Sequence, residues 1–109
     1  MILRMWRGQA SAEKADEYVQ HVKRTVFPKL RNIEGFGKAY LLRHPIKDGV
    51  EFVVLTLWDS MQAVHRFAGD DADKAVVEPE ARSALSGFDD FVTHFEVVHR
   101  AENKRVRKR

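Results

Sequence analysis

The stretch Val50–Gly69, VEFVVLTLWDSMQAVHRFAG, decides the fold. Residues 52–58 (FVVLTLW) are apolar on both alternating faces, and Thr56 carries the only hydroxyl among them. Side chains alternate across a strand, so such a segment needs cover on both sides. A chain of 109 residues can cover one face with its own helices; the other face calls for a second subunit, and a homodimer is expected. Asp59 and Ser60 are both good N-caps. Met61, Val64, Phe67 and Ala68 then follow at helical spacing, and Gly69 stops the helix.

Upstream, Lys47-Asp48-Gly49 is a hairpin signal, because Asp-Gly suits the positive φ angles of tight β-turns. The strand before it runs from the Gly35-Phe36-Gly37 break to about Arg43. Further back, Ala15, Tyr18, Val19, Val22 and Val26 form one helical stripe, with Ser11 as its N-cap. Pro28 forces a kink or a new turn. Ile2–Trp6 is a short first strand, interrupted by Arg4, and Gly8–Ser11 turn the chain. Downstream, Asp70, Asp71 and Asp73 suit the start of a helix over Ala72–Val77. Pro79 interrupts it, Glu80–Leu85 form a further turn, Gly87 marks a break, and Phe91–Val98 is the last strand. The order is β-α-β-β-α-β, a ferredoxin-like α+β arrangement with an antiparallel sheet and helices on one face. Val53, Leu55 and Leu57, or their alternates, fall on the open face.

Composition narrows the classes. Zero cysteines exclude disulfides, thiolate metal sites and Cys nucleophiles. No apolar run approaches the ~18 residues of a membrane span, and the N-terminal MILRMWRG is too charged for a signal peptide. A cytoplasmic protein without membrane contact is expected. The pI near 9.4 misleads. Residues 100–109 (RAENKRVRKR) hold six Lys/Arg and one Glu; the remainder has thirteen basic and fifteen acidic residues, a net of −2. Basicity confined to a tail argues against a nucleic-acid-binding fold. One domain over residues 1–98 is expected, followed by a basic, disordered tail over 99–109.

The five histidines, His21, His44, His65, His94 and His99, include no pair at metal-site spacing, so no metal is expected. His65 sits on the flank of its helix stripe, at the rim between helix and sheet. His94 shares a strand face with Glu96, whose carboxylate can orient the imidazole. They are alternative candidate general bases; a surface histidine and a polar pair at a sheet edge or subunit interface are the structural readings of the same residues. Trp6, Tyr40, Trp58, Phe67 and Phe95 offer stacking area for a flat ligand and equally serve a core. No phosphate loop or nucleophile elbow occurs.

Ile33-Glu34-Gly35-Phe36, Leu55-Thr56-Leu57-Trp58-Asp59-Ser60 leading into Met61-Gln62-Ala63, and Phe95-Glu96-Val97-Val98 resemble the antibiotic biosynthesis monooxygenase (ABM) family of the dimeric α+β barrel superfamily. The resemblance spans roughly residues 1–98. It implies a dimer in which two sheets face each other, and cofactor-independent oxygenation of aromatic polyketides or quinol-like molecules. Under that reading His65 or His94 is the base, and Arg43 or Tyr40 holds the anion. Trp6, Trp58 and Phe67 contact the substrate. A related branch degrades haem with an Asn on the first strand, a Trp in the helix after the central strand and a downstream His ligand. This sequence departs from it: the only asparagines are Asn32 and Asn103, Phe67 stands at the Trp position, and Val76 and Val77 occupy the His region. The expected function is therefore a cofactor-independent monooxygenase acting on a small aromatic or quinol-like molecule. The alternative is a non-catalytic small-molecule (haem included) binding or stress-associated protein of the same fold.

Overall fold

A computed structural model describes residues 1–103; the expected disorder of 104–109 lies outside the described residues, and residues 99–103 carry neither helix nor strand. The elements are β1 (Ile2–Ala10), α1 (Ala15–His21), a π-helical turn (Val22–Val26), α2 (Phe27–Leu30), β2 (Phe36–Ile46), β3 (Gly49–Trp58), α3 (Met61–Ala68), α4 (Pro79–Ala84), β4 (Gly87–Phe88) and β5 (Thr93–Glu96). The antiparallel sheet runs β2-β3-β1, with β4 and β5 both pairing with the far side of β1. It is an α+β fold with the ferredoxin-like order.

The hydrophobic pattern becomes geometry through the register. In β1 and β3, Ile2 pairs with Trp58, Arg4 with Thr56, Trp6 with Val54 and Gly8 with Phe52. These side chains share the face on which the helices pack. Two buried clusters result. One joins Phe52 to Tyr18, Val22, Ala10 and Ala15; the other joins Trp58 to Leu30, Ala63 and Val64. Val53, Leu55 and Leu57 lie on the opposite, helix-free face, beside half-exposed Tyr40 and Leu42 of β2.

Several local signals act as their chemistry dictates. Ser60 Oγ accepts the Ala63 amide at 3.2 Å and caps α3. Gly69, at φ +82°, ends it. Pro28 falls in the first turn of α2, and the π-helical turn just before it absorbs the interruption. Gly35 explains its own motif. Its φ is +92°, and a Cβ there would come within 2.5 Å of the Ala63 Cβ, so only glycine lets the chain lie against α3.

Other boundaries differ from expectation. β1 runs through Ala10, because Gly8–Ala10 keep pairing with Val50–Phe52. Ser11 caps nothing; α1 starts at Ala15 without a side-chain cap. The hairpin turn is Lys47–Asp48 at negative φ, and Gly49 follows at +149°. The helix expected over Ala72–Val77 is absent: the Lys74 amide bonds Asp71, while the Ala75 and Val92 amides pair across with Asp90 O and Asp73 O. With donors and acceptors committed elsewhere, no i→i−4 ladder forms there, and the helix begins at Pro79. Gly87, expected as a break, pairs as β4, and the last strand shortens to Thr93–Glu96.

Trp58 is fully buried, donates its indole N–H to Thr56 Oγ at 2.9 Å, and stacks on Phe67 at 5.6 Å between centroids. Trp58→Ala should destabilise the fold by ~3–5 kcal/mol, the usual cost of removing a buried aromatic side chain. Urea denaturation measures it; a loss below ~1 kcal/mol would mean the ring is not the anchor of its cluster.

Candidate functional site

Between the helical arm 15–30 and the sheet lies a cavity of about 310 Å³, at the low end of the ~300–1,000 Å³ typical of small-molecule sites. β1 lends it Arg4 and Trp6, and β3 lends Val54 and Thr56. The arm contributes Tyr18, His21, Val22 and Leu30, with Lys29 at the rim; α3 contributes only Arg66 and Phe67. The irregular Val76–Glu78 segment covers it. The lining is thus mostly apolar, with a few charged groups.

Arg4 is the least expected of these. Its strand places it on the core face between Ile2 and Trp6, and it is 4% exposed. A buried guanidinium needs partners. Nη1 donates to Ala72 O at 2.5 Å and to His94 Nε2 at 3.0 Å, and Nη2 donates to Lys74 O at 2.9 Å. Its carbon lies 5.5 Å from the Phe67 centroid. Burial lowers its pKa to about 10, against the pull of the Asp73 carboxylate, so it stays charged at neutral pH.

The same contacts set the state of His94. Arginine can only donate, so Nε2 must accept and the hydrogen sits on Nδ1, facing Asp73 Oδ1 at 3.3 Å. Burial and the neighbouring guanidinium lower the His94 pKa, with Asp73 opposing. Asp73, His94 and Arg4 form a chain ending at the cavity. His94 does not line it, and its one lone pair is occupied.

His65 is exposed; its Nδ1–H donates to Gly69 O at 2.8 Å, outside the cavity. Trp6 and Phe67 line the cavity, and Trp58 stands behind Phe67. Tyr40 is on the open face, half exposed. Arg43 reaches Asp16 at 3.4 Å on the surface. The structure therefore brings Trp6 and Phe67 together around the cavity, and leaves Tyr40, Arg43 and His65 away from it.

His21 lines the cavity although its pattern drew no attention. Its side chain is 6% exposed, with Glu78 Oε1 3.4 Å from Nε2 and Glu80 Oε2 3.4 Å from Nδ1. Neither ring nitrogen makes a hydrogen bond. The available signal was its position three residues after Tyr18 and next to Val22, on the edge of the buried stripe. The corresponding signal for Arg4 was a lone charge sharing a strand face with Ile2 and Trp6. Among the described residues, no group of three His, Cys, Asp or Glu is arranged to hold a metal ion, and no helix is long and apolar enough to cross a membrane.

The His94 chemistry has a measurable sign. Its folded pKa lies below the ordinary ~6.5, so on acidification the unfolded chain takes up a proton before the folded one does. Stability contributed by neutral His94 is present above about pH 6.5 and lost as pH falls toward the lowered folded value. His94→Gln, which can accept from Arg4 and donate to Asp73, should flatten the fall of the denaturation midpoint below about pH 6.5. Identical slopes in both proteins would show that His94 is not the titrating group.

The fold has counterparts among solved structures. The heme-degrader MhuD of Mycobacterium tuberculosis, with two haems bound, aligns at TM-score 0.60 and 20% identity, over 94% of this chain and 100% of that one. A monooxygenase from the ActVA-Orf6 gene of Streptomyces coelicolor, in complex with nanaomycin D, aligns at 0.56 and 20%, over 94% and 89%. SnoaB, a cofactor-independent oxygenase from Streptomyces nogalater, aligns at 0.57 and 13%, over 94% and 96%. At such identities the likeness is one of fold. No curated protein matches the chain significantly. The profile of the antibiotic biosynthesis monooxygenase (ABM) family matches residues 1–79, most of the folded part, and the chain belongs to that family.

Proposed function

We propose that this protein is a cofactor-independent monooxygenase acting on a small aromatic or quinol-like molecule held beneath the helical arm. The observation that carries the reading is the mostly apolar 310 Å³ cavity with a buried guanidinium at its wall. Such a site excludes water and favours an anion beside Arg4. Removal of a proton leaves an electron-rich ring that dioxygen oxidises: one ring CH₂ plus O₂ becomes C=O plus water. Trp6 and Phe67 flank the ligand, and Arg4 takes the anion-holding role that Arg43 and Tyr40 are too far removed to fill. His94 orients Arg4, and His65 is outside the cavity unless the cover moves. Ligand enters over Val76–Glu78, which the Lys29–Glu78 ion pair (2.5 Å) ties to the arm. A cytoplasmic location fits a chain without cysteine.

Oxygen uptake with a panel of hydroxylated anthrones and quinols tests the activity. Uptake with loss of at least ~10²-fold for Arg4→Met supports it, since removing one oxyanion donor usually costs that much. No uptake across the panel, with ligand bound, would leave a binding protein. Haem binding is the second reading, supported by the fold shared with MhuD and a buried imidazole in the cavity. A haemin titration without a Soret shift removes it.

A homodimer belongs to the same proposal. Leu3, Met5, Val53, Leu55 and Leu57 make a continuous apolar face, flanked by exposed Leu42, Tyr40 and Phe95. A second copy set sheet to sheet covers it, in the manner of an obligate interface. Leu55→Asp should give monomer or unfolded chain by sedimentation. A folded wild-type monomer at micromolar concentration would sink the dimer.

A further inference from the structure

Most buried polar atoms in proteins have a hydrogen-bond partner, so one that does not requires an explanation. Among the described residues three such side-chain atoms stand together: both ring nitrogens of His21 and Oε1 of Glu78. Both residues line the cavity, while the three atoms themselves are shut off from its free space in this conformation. Leaving such groups without partners destabilises the fold unless a ligand or a rearrangement satisfies them. The carboxylates of Glu78 and Glu80 flank the ring, each 3.4 Å away but misaligned for a hydrogen bond. Glu78 spends its other oxygen on Lys29.

A neutral imidazole has one N–H and one lone pair. With the N–H on one ring nitrogen facing a carboxylate, the lone pair on the other faces the second carboxylate at 3.4 Å, and a ligand meets it once the ring turns about its Cβ–Cγ bond into the cavity. An imidazolium formed at this place would sit between two carboxylates, and an anion formed in the ligand would sit near Arg4. The site therefore separates charge in one sense: cation toward Glu78 and Glu80, anion toward the guanidinium.

We propose that His21 is the catalytic base, taking the hydroxyl proton from a hydroxyarene bound in the cavity and leaving a phenolate facing Arg4. The O–H bond breaks, a new N–H bond forms on the imidazole, and the electron pair stays on the ligand oxygen. No oxidant is needed for this step; dioxygen acts on the anion afterwards. The assignment rests on the cavity being the place where the aromatic ligand binds, and it replaces His65 and His94 as the base.

The test uses 2-hydroxyanthraquinone, whose phenol and phenolate absorb at different wavelengths, under nitrogen and at a pH where the free probe is a phenol. Wild type should bind it as phenolate. His21→Gln should bind it as phenol, with the phenolate fraction lower by at least ~10-fold, and should lose ~10²–10⁴-fold in turnover of any active substrate, the usual contribution of a general base. His21→Ala, with thermal melting as a check on folding, guards against a misfolded first variant. Added imidazole should restore phenolate in the space it leaves. Phenolate bound equally by wild type and both variants would overturn the role of His21. Phenol bound by wild type would overturn it while leaving the cavity as the binding site. No binding by wild type would overturn both.

Discussion

A guanidinium in the core is the constraint around which the cavity side of this molecule is arranged. Arg4 sits on the helix-facing side of the central strand pair, where its neighbours are Ile2, Trp6 and Thr56. A charge there is tolerable only with several hydrogen-bond acceptors. It takes two of them from the backbone of Ala72 and Lys74, and a third from His94. Carbonyls that point at Arg4 do not serve an α-helix ladder, so the chain from Asp71 to Glu78 stays irregular and lies over the sheet as a cover. The end of that segment, Val76 to Glu78, lines the cavity. His94, which in isolation looks like a base, is held as an acceptor for the arginine and tied to Asp73.

The two faces of the sheet divide the work. On one, aromatic and aliphatic side chains of β1 and β3 meet the helical arm and α3, and close packing is achieved wherever a small residue allows it. Gly35 against Ala63 is the clearest case, since any Cβ would collide. Near Arg4, His21 and Glu78 polar groups interrupt the apolar wall, and a cavity of about 310 Å³ remains. On the other face, no helix packs among the described residues. Leu55 and Leu57 are half-buried there beside exposed Tyr40, and polar groups gather at one end, where His44 donates to Glu51 at 2.7 Å and holds its carboxyl below the usual range. In the proposed dimer this is the surface that the second copy covers. The cavity and the helix-free apolar surface thus lie on opposite faces of the same strands.

The sequence by itself determined the frame. The uninterrupted FVVLTLW run, the Ser60 cap, the Gly69 stop and the Tyr18–Val22 stripe are local or periodic features, and each depends on neighbours a few residues away. That is why the element order, the helix-bearing face and the greasy open face could be read from it, and why the family motif around Gly35 was visible. What only the tertiary structure decided were the contacts between distant residues. Arg4 meets Ala72 and His94 across 68 and 90 positions, and His21 meets Glu78 and Glu80 across a fold that no periodicity describes. Those contacts cancelled the helix expected after the aspartates and placed the unpartnered imidazole in the cavity. Periodicity reports which side of an element is buried; it cannot report which charges will share that burial, because that depends on the chain folding back on itself.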